Sequence, residues 1–233
     1  MEGDRIPDEE ALAGPEHLDR AYVAAYERKA QFDPSADLED LVARGLGPGS
    51  TLVDLGAGTG ALAVEAAAAC ERVVAVDVSP AMAEAIRAKA LDRGVTNLTA
   101  VQAGFLSYRH AGRPADFVYT RNALHHLPDI WKAVALQRVA DVLRPGGVLR
   151  LRDLALSFDP SEMDERLAAW VAGGADDPAL GWTPAELETH IREEFSTFTW
   201  LLEPMLERAG FEIVDADFAP SGMYAAYVCS KPV

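Results

Sequence analysis

The stretch Val53-Asp54-Leu55-Gly56-Ala57-Gly58-Thr59-Gly60 constrains this chain more than any other. An apolar run that starts at Thr51 breaks at Gly56, and an alanine-rich segment over 61–69 follows. The run reads as a short buried strand, and the alanines as a helix suited to close packing on a sheet. Glycines between them let the backbone turn tightly and approach a ligand with no Cβ in the way. The helix mouth beyond offers free N–H groups and the positive end of a dipole. A glycine-rich turn alone is weak evidence; its place directly after a first parallel strand gives it weight.

The alternation continues downstream. Residues 72–76 form a second strand that ends in Asp77, and Ser79-Pro80 opens a helix that runs to Gly94. Residues 98–102, 116–120 and 148–151 read as three more strands. A helix capped by Asp129 carries the stripe Leu136, Val139, Ala140 and Leu143, and Pro145-Gly146-Gly147 ends it. Right-handed crossovers turn this order into a parallel sheet with helices on both faces. The last two strands, 211–217 and 223–229, are joined by a short loop and should pair antiparallel. The expectation is an α/β fold with seven strands, mostly parallel, the last one antiparallel.

Around that core we expect a loose acidic arm over 1–15 and a single domain over 16–233. The domain divides into an N-terminal helical cap (16–46), the core (50–155), a helical insertion after strand five (158–198) and a C-terminal helix with a strand pair (199–233). In the cap, Leu18, Tyr22 and Tyr26 share one helical face. A second short helix points Leu38, Leu41 and Val42 inward and stops at Gly45. In the insertion, Thr183-Pro184-Ala185-Glu186 is a capping box.

Charge narrows the partners. The chain carries 21 basic and 37 acidic side chains, a formal net charge of −16. Such a surface repels phosphate backbones, so nucleic acid is disfavoured; Arg144, Arg150 and Arg152 are the nearest approach to a basic cluster. A small, neutral-to-cationic partner fits better. No apolar run approaches the ~18 residues of a membrane span, and the N-terminus lacks the pattern of a secretory signal. Cys70 and Cys229 suggest neither a disulfide framework nor metal-ligand spacing, so no metal site is expected and a reduced, cytoplasmic setting is. Oligomeric state is not legible.

Asp77 stands seventeen residues after Gly60, at the end of the second strand. A carboxylate there can accept hydrogen bonds from both ribose hydroxyls of an adenosine, or simply cap the loop with Ser79. With this residue in place the sequence resembles the class I S-adenosylmethionine methyltransferases. The resemblance rests on VDLGAGTG at 53–60, AVDVSP at 75–80, ADFVYTRNALHHLPD at 115–129 and LRPGGVLRL at 143–151. It implies a Rossmann-like fold, S-adenosylmethionine as cofactor with S-adenosylhomocysteine as product, and methyl transfer to a small-molecule acceptor. The loop Asp54, Gly56, Ala57, Gly58 and Gly60 then holds the methionine tail, Asp77 the ribose, and Val78 and Met82 flank the adenine. Asn122 holds the amino-acid tail or steers the acceptor. Many members place an acid directly after the glycine that ends strand three; here Gly104 is followed by Phe105, so backbone near Gly104 and Phe105, or Gln102, must hold the adenine.

His125 and His126 follow the fourth strand, and either imidazole could take the acceptor's proton or merely fix the loop. Asp153, at the end of strand five, is a third candidate base or a salt-bridge partner of Arg121 or Arg152. Tyr22, Tyr26, Trp182 and Trp200 are candidate walls of the acceptor pocket, whereas Met163, Leu167 and Trp170 share one helical face and read as core. Two further readings stand beside methyl transfer: a cofactor-binding member with a non-methylating or regulatory role, and a nicotinamide dehydrogenase, because Gly56, Gly58 and Ala61 can be laid on G-x-G-x-x-A.

Overall fold

The computed structural model describes residues 5–233. Three helices precede the sheet: α1 (Glu9–Leu12), α2 (Arg20–Ala30) and α3 (Ser35–Ala43). The core follows as β1 (Thr51–Leu55), α4 (Ala61–Ala66), β2 (Arg72–Asp77), α5 (Pro80–Asp92), β3 (Leu98–Gln102), β4 (Ala115–Arg121), α6 (Asp129–Val142) and β5 (Leu143–Asp153). The insertion holds β6 (Ala155–Leu156), α7 (Met163–Ala172) and α8 (Pro184–Glu193). β7 (Thr197–Phe198), α9 (Thr199–Arg208), β8 (Glu212–Phe218) and β9 (Ala225–Ser230) close the chain, with β6 and β7 pairing as a small separate sheet.

The main sheet has seven strands in the order β3-β2-β1-β4-β5-β9-β8. β1 pairs in parallel with β2 on one side and β4 on the other, so the strand order reverses there and a crevice opens at the strands' carboxyl ends. β9 runs antiparallel to both β5 and β8, as its short connection requires. All five residues of β1 are buried, and a core cluster from Val53 to Cys229 fills one face of the sheet. A second cluster, built on Leu52, Val73, Phe117 and Tyr119 with Leu41, Leu62 and Ile86, fills the other. This two-faced burial is why the strands read as unbroken apolar runs.

Several expectations change in detail. The arm is not loose from residue 5 onward: Asp8 caps α1, and Glu9 is buried. Residues 1–4 lie outside the described part. In α3, Leu41 is buried but Val42 is 47% exposed, because one short helix can turn only a narrow stripe inward. Asp129 is the first residue of α6 rather than its cap, and its carboxylate accepts from Lys132 and from Thr197 on β7. In the insertion, Thr183 and Glu186 form the expected reciprocal cap, and Met163, Leu167 and Trp170 pack on Leu156, Phe158 and Met223. No helix among the described residues is long and apolar enough to cross a membrane.

Candidate active site

The turn leaving β1 is shaped by what lies against it. Gly56 (φ +70°) sits so close to Ala123, on the loop after β4, that a Cβ would collide with the Ala123 side chain. Its amide and that of Ala57 both donate to the Val76 carbonyl at 2.8 and 3.0 Å, pinning the turn to β2. Gly58 donates to Asp77 Oδ2 at 2.7 Å, while Ser79 donates to Asp77 Oδ1 at 2.9 Å. Asp77 therefore does cap its own loop. Each of its oxygens keeps a second lone pair, so this role does not exclude a ribose ligand. Burial pushes its carboxyl up to about 6, against the two backbone hydrogen bonds.

Two cavities flank this turn. The first is walled by Gly56, Gly58, Asp77, Val78, Met82, Gly104, Phe105 and Asn122, eight of the residues singled out from the sequence. The second lies on the α4 side and takes in Asp54, Ala57 and Trp182. Tyr26, Gly56, Gly58, Arg121 and Asn122 touch both. Gly60 lines neither; it starts α4 with its Cα against Ile86, where an added Cβ would come within 3.0 Å. Asp54 is buried, and burial plus the Asp77 charge lift its carboxyl to about 8. Burial and Asp77 likewise raise the Tyr26 phenol to about 12, so it faces the cavities as an uncharged hydroxyl.

A carboxylate from another part of the chain stands beside Gly104. Glu9, on α1, accepts from the amides of Leu106 and Ser107 at 2.8 and 2.9 Å and from Ser107 Oγ at 2.7 Å. Its carboxylate occupies the space that a Cβ on Gly104 would need, and it lines the first cavity. Arg121 is the other wall residue that sequence reading passed over as a binding group. Its guanidinium lies 4.3 Å from the centre of the Phe32 ring and pairs with Asp37 at 3.0 Å. A strand-ending arginine beside Asn122 was the only available signal for it.

The histidines separate. His125 is buried and absent from both cavity walls: its Nδ1 bonds Asp153, and its Nε2 lies 2.9 Å from a Glu194 oxygen. Burial works to lower its pKa, but the two carboxylates outweigh burial and raise it to about 9. A buried ring held by Asp153 and turned away from both cavities is not placed to act as a general base. Asp153 is equally committed, accepting from the amides of Leu124 and Leu154 at 2.7 Å, and it pairs with neither Arg121 nor Arg152. His126 lines the first cavity, and burial together with the adjacent His125 lowers it to about 3.

Of the expected acceptor walls, Tyr26 and Trp182 line the second cavity. Tyr22 stands behind them, edge-on to His17 and 5.4 Å below the Lys29 ammonium. Trp200 is 55% exposed and stacks on Phe198, because α9 turns that face to solvent.

Comparison with known proteins now decides the class. Residues 52–147 match the family model described as a methyltransferase domain. Over these residues the core of this chain is a methyltransferase domain. The match spans the glycine turn, Asp77 and the Asn122-to-His126 loop, and it displaces the dehydrogenase alternative. S-adenosylmethionine is the cofactor of this domain family. No curated protein matches the chain. Among solved structures, the fold is similar to a SAM-dependent methyltransferase from Aquifex aeolicus (18% identity, 91% of this chain and 98% of that one, TM-score 0.62). It is also similar to magnesium protoporphyrin IX methyltransferase from Synechocystis, solved with bound SAH (16%, 95% and 98%, TM-score 0.64). The cyclase SpnF shares the fold as well (19%, 84% and 80%, TM-score 0.63).

Proposed function

We propose that this methyltransferase transfers a methyl group from S-adenosylmethionine to a small-molecule acceptor in a reducing, cytoplasmic setting. The carrying observation is the first cavity, to which β1, β2, β3 and β4 each bring the residue expected of a donor site. The cavity fits that donor on this chain's own terms. Gly56 and Gly104 let Ala123 and the Glu9 carboxylate close onto the wall, Asp77 offers a desolvated carboxylate, and Val78, Met82 and Phe105 offer apolar walls. When bound, S-adenosylmethionine supplies an electrophilic sulfonium methyl.

The residues around it have separable tasks. Asp77 accepts from the ribose with the lone pairs that Gly58 and Ser79 leave free. Glu9 is the nearest carboxylate to the adenine side, in the role the sequence left vacant. Asn122, whose Oδ1 is held by Arg152 at 2.8 Å, and Arg121 face the amino-acid end, where a guanidinium meets a carboxylate. Tyr26 and Trp182 close the other side and exclude water.

No well-placed base follows from this arrangement. His125 and Asp153 are bound to each other, and His126, held at about 3, is too weak to deprotonate an alcohol near neutral pH. The reading therefore favours an acceptor that brings its own lone pair, such as a neutral amine, with proximity supplying most of the rate. A non-methylating role on the same cavity is the second reading, favoured by this lack of a base. Cys70 and Cys229, buried free thiols raised to about 11 and 12 by burial, agree with a reducing setting.

Calorimetric titration with S-adenosylmethionine and S-adenosylhomocysteine tests the proposal. We expect binding by the full chain and a loss of roughly 10- to 100-fold in Asp77→Asn, the range for a charged hydrogen-bond acceptor of about 1.5–3 kcal/mol. Absence of heat with either compound removes the proposal. Binding without methyl incorporation into any amine tested from labelled donor favours the non-methylating role.

A further inference from the structure

The loop after β4 meets the end of α8 in a cluster of nitrogen and oxygen donors that the methyl-transfer reading does not use. His125 Nε2, His190 Nδ1 and a Glu194 carboxylate oxygen all lie within 4.8 Å of one another. Glu194 Oε2 is the hub: it is 2.9 Å from His125 Nε2, 2.6 Å from His190 Nδ1 and 3.9 Å from His126 Nδ1. Ligands about 2.0–2.2 Å from a tetrahedral zinc ion stand roughly 3.3 Å apart. The two histidine separations from the hub, 2.9 and 2.6 Å, fall short of that value, so the imidazoles would move outward by roughly half an ångström to admit the ion.

Two observations point to a ligand rather than to packing alone. His126 Nδ1 is a buried side-chain atom without a hydrogen-bond partner, and Glu194 Oε2, ion-paired with two imidazoles, makes no hydrogen bond of good geometry; native interiors rarely tolerate either. The imidazoles are also oriented from behind. His125 is held through Nδ1 by Asp153, and His190 Nε2 lies 3.1 Å from Ser196 Oγ. Each ring thus has its far nitrogen held and its near nitrogen directed at the hub, the arrangement that supporting groups impose on metal-ligating histidines.

We propose that His125, His190 and Glu194 bind a divalent transition-metal ion of the zinc type, with His126 Nδ1 the nearest further donor. Imidazole with carboxylate suits this class, whereas magnesium and calcium call for oxygen donors. The ion would clamp the insertion to the core beside the donor cavity, whose wall includes His126. The cysteines, far apart in sequence, gave no sign of a metal site. Here the ligands are a histidine after β4 and a His-x-x-x-Glu pair 65 residues later, at the end of α8.

The test uses the full chain, stripped with a chelator and titrated with Zn²⁺ by calorimetry and with Co²⁺ by visible absorption. It does not depend on methyl transfer. We expect one equivalent bound, a ligand-field absorption with cobalt that zinc abolishes, and a raised melting temperature. His190→Ala and Glu194→Gln should each weaken binding by at least ~100-fold, and Ser196→Ala, which leaves every ligand in place, by roughly 10-fold. If the ligand variants fail to fold, the wild type and Ser196→Ala still decide. A cluster that forms ion pairs only takes up neither metal, which overturns the proposal. Equal uptake by wild type and His190→Ala overturns it too, because the ion then sits elsewhere.

Discussion

Glu9 shows how far one side chain can reshape a site. It gives acceptors to two amides and one hydroxyl on the turn after β3, and none of these has another partner of equal geometry. Glu9→Ala should cost about 1–3 kcal/mol through the donors it strands, and it should weaken donor binding beyond that loss of stability. Denaturant melts paired with calorimetry check this; unchanged melting would mean that water replaces the carboxylate. Asp54 gives the pH-dependent case. Its folded-state pKa of about 8 lies above the ordinary 3.8, so its contribution is full below about pH 4 and is lost as pH rises toward 8. Asp54→Asn cannot ionise. Its melting temperature should match the wild type near about pH 4 and exceed it by several degrees near about pH 9. A constant difference across that range would show that Asp54 is not the group responsible. Neither role was visible in the sequence beyond a motif position: Glu9 is one acid among many in an acidic arm, 97 residues before Leu106. The clamp on His125 was hidden for the same reason, since Glu194 reaches it only through the fold.

Elements carry what periodicity and turn chemistry encode. Every strand of the main sheet and every core helix was legible, because two-faced burial leaves unbroken apolar runs and because Gly45, Ser79-Pro80 and Thr183-x-x-Glu186 mark ends by mechanism. But β5 starts at Leu143, which the sequence placed on the α6 stripe, and runs through Pro145-Gly146-Gly147. What periodicity missed are the contacts that dock one element on another. The docking of α3 is the clearest example. Its Asp37 accepts from Tyr119 Oη at 2.6 Å and pairs with Arg121 at 3.0 Å and Arg150 at 3.6 Å, joining the helix to β4 and β5. Arg150 keeps Asp40 at 3.1 Å, so removing the carboxylate strands the mostly covered Arg121 charge and a buried phenol. Asp37→Ala should lose about 2–4 kcal/mol, somewhat below the figure for a fully buried pair because Arg121 is 26% exposed. It should also weaken donor binding, since Arg121 lines both cavities. Urea melts give the first number. A loss under about 1 kcal/mol would mean that Leu41, fully buried, docks the helix without help.

At the scale of the molecule, order is distributed unevenly, and the uneven part covers the site. β1 is buried along its whole length, whereas α7 and α8 contain no fully buried residue. The insertion instead holds to the N-terminal cap through polar contacts: Lys29 pairs with Glu186, and Gln31 donates to the Leu180 carbonyl at 2.6 Å. Local opening costs least where few apolar contacts must break. In the metal-free, donor-free protein, amides of 184–193 should therefore exchange roughly 100-fold faster than those of 51–55, an opening gap of about 3 kcal/mol. A donor lodged beneath Tyr26 and Trp182 touches both halves of the cap, so S-adenosylhomocysteine should slow exchange in α2 and α8 and leave β1 unmoved. Exchange measured by mass spectrometry with and without that compound separates two architectures. If α8 is already as protected as β1 in the empty protein, the insertion is a rigid part of the domain. In that case the acceptor must enter by another route.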